Sequence, residues 1–369
     1  MGAKDAVVSG AVVDRAVERL TRLTRPITTP LRLGDYLALV DPLLNNRQLR
    51  GRVVSVVPES PDAVTLVIRP GLGWRFEHLP GQFISIGVAV DGRFHWRSYS
   101  LTSPPTRRRR ALTITVKAMP EGFLSTHLTS AIEPGTVVRL AAPAGEFVLP
   151  DPPPARILLL GAGSGITPLI SMLRTMRRRG TLSDVVMVTS FRSEETALFR
   201  AELSELARGE PNFRLVEHWS ADAGHLTPAA VADAVPDWRG RQVWACGPAA
   251  LLDECQAFWG RAGLTERLHV ERYSDGVDGE AAEGTGGTIT FRKSGRSVEV
   301  DGATTLLEAG EQAGVDMPFG CRMGICHTCV VPLSAGTVVD IRSGDTADET
   351  NRYVQTCISV ASGDCELDV

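Results

Sequence analysis

The sequence predicts a multidomain chain: an antiparallel β-barrel, then an α/β domain on a parallel sheet, then a small α+β domain. Three observations carry this. Between 49 and 150, β-prone runs at 52–57, 64–68, 82–88, 112–117 and 137–140 are divided by Gly and Pro turns, the spacing of an antiparallel barrel. After Asp151-Pro152-Pro153-Pro154, strands at 157–160, 185–190, 213–217, 242–245 and 268–270 alternate with helical stretches around 168–179, 195–208, 228–235 and 248–260. That alternation marks a parallel sheet with crossovers over 151–273. A Gly-, Asp- and Glu-rich linker, 274–286, leads to a last domain at 287–369, with strands at 288–292 and 297–300, a helix near 305–313 and a cysteine-bearing loop.

The bulk numbers fit this division. A chain of 369 residues is long enough for two or three domains. With 43% hydrophobic and 22% charged residues it has an ordinary globular composition, and a net charge of −4 without a basic stripe argues against nucleic acid. The longest apolar stretch, 157–170, is short and broken by glycines, whereas a membrane-spanning helix needs roughly 20 apolar residues. Met1-Gly2-Ala3-Lys4-Asp5 lacks the basic flank and apolar core of a signal peptide. The expected location is therefore the cytoplasm, where clustered cysteines hold metal rather than form disulfides.

Residues 1–48 form an N-terminal extension. Val13, Val17, Leu20 and Leu23 recur at helical spacing, which predicts a helix packed on its own domain or docked on a partner or membrane face. Arg107–Arg110 reads as a solvated loop, with a patch for anionic lipid or an acidic partner as the alternative.

Four of the seven cysteines carry chemistry: Cys321-x4-Cys326-x2-Cys329, with Cys357 a distant fourth. Structural zinc favours paired Cys-x2–4-Cys units, whereas the split here is three plus one. A [2Fe–2S] centre needs four thiolates, and a tight loop with one remote ligand supplies them. Gly320 and Gly324 suit such a loop, since glycine tolerates positive φ and lets backbone N–H groups face sulfur. A Rieske centre replaces two cysteines with histidine, and all four are present. The stretch Cys-Arg-Met-Gly-Ile-Cys-His-Thr-Cys resembles the cluster loop of plant-type ferredoxins, which implies a β-grasp fold for the last domain. His327 departs from that pattern, which commonly has a small residue there. Cys255 and Cys365 read as small core residues.

In the barrel, Arg97-Ser98-Tyr99-Ser100 follows Pro80-Gly81-Gln82-Phe83. An arginine for a phosphate, an aromatic plane and a hydroxyl for a ring nitrogen suit a flavin. Gly122, Ser125 and Thr126, at an expected helix start, suit its pyrophosphate. In the next domain Gly161-Ala162-Gly163-Ser164-Gly165-Ile166-Thr167-Pro168 joins a strand to a helix, where backbone N–H groups accept phosphate. It is not the Rossmann fingerprint, whose third glycine falls at Ile166. Cys246-Gly247-Pro248 follows another strand, at the end where α/β sheets bind ligands.

Together these motifs resemble the ferredoxin–NADP reductase superfamily over residues 50–272. The resemblance implies that Arg97 contacts flavin phosphate, Tyr99 flanks the ring and Ser100 approaches N5. Gly161, Gly163, Gly165 and Thr167 would form the nicotinamide-binding turn, with Cys246, Gly247 and Pro248 beside the ring. Glu271 and Tyr273 resemble the family's Glu-x-aromatic that closes on the flavin, so Ser100, Cys246 and Glu271 are the candidate catalytic residues. Arg192, at the end of the second strand, could meet a 2′-phosphate, which favours NADPH over NADH. Against it, Ser220-Ala221 stands where NADPH-specific relatives often have Ser-Arg.

The implied route runs from NAD(P)H through FAD to the [2Fe–2S] cluster and on to an outside acceptor. In the last domain acidic residues outnumber basic ones, which points to a basic acceptor surface. No haem motif or di-iron set is present, so oxygen chemistry must lie in a partner. Thr29-Pro30-Leu31, Asp35-Tyr36-Leu37, the run 45–53 and the cluster loop with His327 resemble actinobacterial reductases serving membrane fatty-acid desaturases. The alternatives are the reductase of a ring-hydroxylating dioxygenase or cytochrome P450, with FMN in place of FAD in the phthalate dioxygenase reductase group. A redox-responsive binding protein is the reading from another class.

Overall fold

The computed structural model describes residues 33–45, 49–90, 93–105, 111–119, 122–272, 284–319, 329–341, 344–348 and 352–369. The expected helix over 13–23, Arg107–Arg110, Tyr273, most of the linker, Cys321, Cys326 and His327 lie outside them.

A short helix, α1 (Leu33–Val40), and a 3-10 turn at Pro42–Leu44 lead into the barrel. Asp41 caps the turn by accepting from Leu43 N (3.0 Å), and Arg52 pairs with the same carboxylate at 2.9 Å, tying the extension to the first strand. The barrel consists of β1 (Arg50–Ser60), β2 (Ala63–Pro70), β3 (Phe83–Val90), β4 (Arg93–Ser100), β5 (Leu112–Lys117) and β6 (Val137–Leu140), with α2 (Phe123–Ser130) between the last two. Every pairing is antiparallel, in the order β4-β3-β6-β1-β2-β5. A Leu101–Ile114 bridge, with Thr102 N donating to Thr113 O (2.8 Å), closes the end of β4 onto β5. Alternation sends Ile84, Ile86 and Val88 into the barrel core.

The α/β domain contains β7 (Arg156–Ala162), α3 (Ile166–Arg179), β8 (Asp184–Phe191), α4 (Arg200–Gly209), β9 (Phe213–Trp219), α5 (Pro228–Ala234), β10 (Gln242–Cys246), α6 (Ala249–Arg261) and β11 (Leu268–Glu271). The sheet is wholly parallel, β11-β10-β7-β8-β9. Ile157 and Leu159 face one apolar core, Leu158 and Leu160 the other, as a strand covered on both faces requires. Strand order reverses between β7 and β10, which opens a crevice at their carboxyl ends. One expected element is shorter than its pattern. The helix expected over 195–208 begins at Arg200, because Ser193 and Thr196 form a capping box on a separate 3-10 turn and Phe199 takes a left-handed φ of 57°.

The last domain has β12 (Gly287–Phe291), β13 (Arg296–Val300), α7 (Leu306–Gln312), β14 (Val330–Asp340), β15 (Thr346–Ala347), β16 (Arg352–Gln355) and β17 (Ser359–Leu367). β12 pairs antiparallel with β13 and parallel with β17, which returns antiparallel to β14. A mixed sheet crossed by a helix is the β-grasp arrangement. Cys365 belongs to this core and Cys255 to that of the α/β domain, and burial pushes both thiols up to about 12.

Candidate redox site

The two described cysteines of the cluster motif are brought together by pairing. Val330 opposes Gln355 and Val331 opposes Val354, so Cys329, just before β14, meets Cys357, just after β16. Their Sγ atoms are 3.2 Å apart and both residues are buried. Thr356, between β16 and Cys357, donates through N and Oγ1 to Cys329 O (3.2 and 2.9 Å), and its own carbonyl accepts from Leu307 N at the start of α7 (2.9 Å). The hydrogen bond with Cys357 lowers the Cys329 thiol, against burial. Two adjacent sulfurs, one favouring thiolate, fit ligation of a single iron.

On β4 the alternation of side chains divides the flavin motif. Tyr99 packs against the barrel core, and Tyr99 and Arg97 oppose Ile84 and Ile86 on β3. His95, on the same face, lies with its ring 4.7 Å from that of Phe123, at the start of α2. Burial raises the Tyr99 phenol, opposed by Arg97. Arg97 Nη1 donates to Trp96 O (2.8 Å), and Ser100 is buried at the strand end. The Ser98 hydroxyl, on the opposite face of β4 from Tyr99, bonds Ser85 Oγ at 2.9 Å. A strand's two-residue period puts Ser98 and Ser100 on one face of β4 and Arg97 and Tyr99 on the other.

Gly122 is the N-cap of α2, as its motif requires. Ser125 Oγ accepts from Met119 N (3.1 Å) and donates to Gly122 O (3.0 Å), and a Cβ on Gly122 would collide with that hydroxyl. Ser125 therefore shapes the loop, while Thr126 stays exposed beside the first N–H groups of the helix. His95 and Phe123 carry no motif of their own in the sequence, yet their ring contact joins β4 to the start of α2.

In the α/β domain the ends of three strands form one row, Gly161 on β7, Cys246 on β10 and Glu271 on β11. Gly163–Gly165 makes a single 3-10 turn into α3, with Gly163 at a φ of 56° that only glycine adopts easily and with open space where a Cβ would point. A Cβ on Gly165 would run into the Cys246 carbonyl, and one on Gly247 would press on Ala162. The two glycine turns therefore touch across the crevice. Thr167 Oγ1 donates to Ser164 O (2.9 Å), and Cys246 is fully buried. Pro248 is the N-cap of α6. Glu271 is half-buried, its Oε2 is buried without a hydrogen-bond partner, and burial pushes the carboxyl up to about 7. An unpaired acceptor beside Cys246 fits the amide of a nicotinamide. Further along, Ser190 Oγ lies 3.1 Å from His218 Nδ1, and Arg192 is exposed at the end of β8.

Comparison with known proteins agrees with the three parts. Residues 59–149 match the oxidoreductase FAD-binding domain, 159–257 the oxidoreductase NAD-binding domain and 289–362 the 2Fe-2S iron-sulfur cluster binding domain. An NADPH oxidoreductase of Mycobacterium tuberculosis is 52% identical over 98% of this chain and 95% of its own. The ferredoxin reductase component of a Mycolicibacterium smegmatis 3-ketosteroid-9-alpha-monooxygenase is 31% identical over 81% of this chain and 90% of its own. The phthalate dioxygenase reductase structure shares the fold, with a TM-score of 0.54 and 24% identity, covering 89% of this chain and 99% of that one. The chain therefore belongs to the family of NAD(P)H-dependent electron-transfer oxidoreductases that join FAD-binding, NAD-binding and [2Fe–2S] domains.

Proposed function

We propose that the chain carries electrons from NADPH, through FAD and its cluster, to an oxygen-activating partner, and that this partner is a membrane-embedded fatty-acid desaturase. The flavin supplies the exchange between a hydride and single electrons. The chain's residues position and tune it. In this reading Arg97 meets a flavin phosphate, Tyr99 flanks the ring and Ser100 reaches its N5 edge. The turn 163–167 seats the pyrophosphate of the nucleotide, and Glu271 accepts from the nicotinamide amide. Arg192, with no carboxylate at that strand end, supports a 2′-phosphate and hence NADPH. Cys321, Cys326, Cys329 and Cys357 hold the cluster.

The observation that carries the partner is the end of α1, where Leu39 and Val40 are each 83% exposed. A short helix offering apolar side chains to solvent suits a partner that lies in lipid. Among the described residues no helix is long and apolar enough to cross a membrane, so the partner would supply the membrane-embedded part. The second reading, a reductase component of a monooxygenase, is favoured by the name of the M. smegmatis relative.

Reconstitution separates the two. Membranes bearing a stearoyl-CoA-type desaturase should form unsaturated product with NADPH and this chain, and replacing Leu39 and Val40 with Gln should lower that turnover while ferricyanide reduction stays unchanged. No desaturation, together with efficient coupling to a soluble oxygenase, sinks the preferred partner.

A further inference from the structure

α3 carries a polar stripe on the side that faces the barrel. Thr167, Ser171, Arg174 and Arg178 recur at i, i+4, i+7 and i+11, one side of a helix. The top of the stripe, Thr167, belongs to the nicotinamide turn. The rest reaches into the barrel, onto the segment that leaves β4 just after Ser100. Arg174 Nη1 donates to Thr102 O (2.8 Å), Ser171 Oγ donates to Ser103 O (2.9 Å), and Arg178 donates to Pro105 O. His78 Nε2 also donates to Ser103 O, at 3.0 Å. A strand leaving its sheet has carbonyls with no ladder partner, and buried ones must find donors elsewhere. Here a helix of the neighbouring domain supplies them.

Arg174 is held from three sides. Its Nε and Nη2 fork onto Glu202 of α4 at 2.9 and 2.5 Å, and its guanidinium lies 5.1 Å from the ring of Phe199. Phe199 is buried in a left-handed conformation, φ 57°. The remaining donor is thereby aimed at the barrel, at a carbonyl two residues past Ser100. Met172, from the same helix, packs where a Cβ on Gly81 would stand, so α3 grips the barrel on two sides.

We propose that Arg174 is a positioning residue for hydride transfer: together with Ser171 it sets the flavin motif at Ser100 in register with the nicotinamide turn at Thr167. Both reacting partners are then fixed to one rigid rod, the first on its side and the second at its tip. Hydride transfer needs near-contact geometry, and a displacement of about 1 Å can cost about 100-fold in rate. The inference rests on the flavin–nicotinamide reading above. Bleaching of the unaltered holoenzyme by NADPH tests that reading by itself, and the ratio of variant to unaltered enzyme tests the positioning role.

The experiment compares Arg174→Met, Arg174→Lys and Ser171→Ala holoenzymes by anaerobic stopped flow. Arg174→Met should slow flavin reduction about 10- to 100-fold, with a weakened long-wavelength nicotinamide–flavin charge-transfer band. The subsequent flavin-to-cluster step and NADPH affinity should stay within about twofold. Arg174→Lys, which keeps a donor but cannot fork to Glu202 and reach Thr102 together, should restore part of the loss. Amide exchange at 101–105 should rise in Arg174→Met. Ser171→Ala removes one of two donors to a single carbonyl and guards against a folding failure, and it should show a smaller change of the same pattern. A lowered melting temperature with unchanged hydride rate and charge-transfer band would make the stripe simple domain glue and overturn the proposal. Equal slowing of the hydride and cluster steps would overturn it too.

Discussion

Glu271 shows how a single side chain can set activity against stability. Burial holds its carboxyl near about 7, above the ordinary 4.5, and leaves Oε2 unpartnered. Because the folded value is raised, the stability it contributes is fully present below 4.5 and is lost as pH rises through about 7. Above that pH the buried charge lacks a partner until a nicotinamide amide supplies one. Glu271→Gln should therefore melt higher than the unaltered chain at pH 8 and no differently at pH 4 or below. NADPH-driven flavin reduction should show an inflection near about pH 7 that this variant abolishes. Identical melting at pH 8 would show that the carboxylate is satisfied. The motif made Glu271 legible in the sequence, but its alignment with Cys246 and Gly161 was not, because that row exists only once three distant strands pair in parallel.

The glycine turns are the elements in which pattern and reason separate. Gly163 and Gly165 were visible as a loop between strand and helix, yet each does a different job. Gly163 needs its positive φ, and Gly165 needs clearance from the Cys246 carbonyl. That obstacle is backbone and cannot rotate away. Gly165→Ala should destabilise the α/β domain by about 1–3 kcal/mol and part the two turns, raising the KM for NADPH. Gly163→Ala meets no neighbour and should cost only the left-handed backbone, roughly 1 kcal/mol. Thermal melts and titration of the oxidised holoenzyme with a nucleotide analogue measure both, and equal effects at the two positions would refute the distinction. The strands of the last domain were the least legible. β14 to β17 lack a clean hydrophobic alternation, and β17 takes its place only by pairing with β12 on one side and β14 on the other. By contrast, the barrel and the parallel sheet were readable because turns and crossovers are local signals.

At the scale of the whole molecule, the outer face of the barrel is built to receive the cluster domain. Trp96 on β4, Gly87 on β3, Arg139 on β6 and Arg50 on β1 stand in one row across four strands. Gly87 leaves room for the Trp96 ring, which a Cβ there would strike. Trp96 points away from the barrel core, yet it is only 3% exposed, because it joins the apolar cluster of Phe291 and Leu306 in the last domain. Facing the arginine end of the row is Glu308, which also closes the capping box of α7 with Thr305. Burial raises the Glu308 carboxyl, and Arg139 and Arg50 oppose the rise. Burial, with repulsion from Arg139, lowers Arg50 to about 10, against the attraction of Glu308 and Asp301. An apolar anchor at one end and opposed charges at the other would hold the cluster domain in one orientation. Truncating the anchor should release that domain without hollowing the barrel, since Trp96 contributes nothing to the barrel's interior. Trp96→Ala should thus enlarge the radius of gyration in solution scattering and slow electron transfer from flavin to cluster. The hydride step should be untouched, the reverse of the pattern expected for Arg174→Met. Glu308→Gln should loosen the same seat by leaving Arg139 and Arg50 without the carboxylate that faces them, and salt should alter the effect little, because buried charges are screened far less than exposed ones. If Trp96→Ala left both the scattering and the cluster step unchanged, the seat would be incidental to electron transfer.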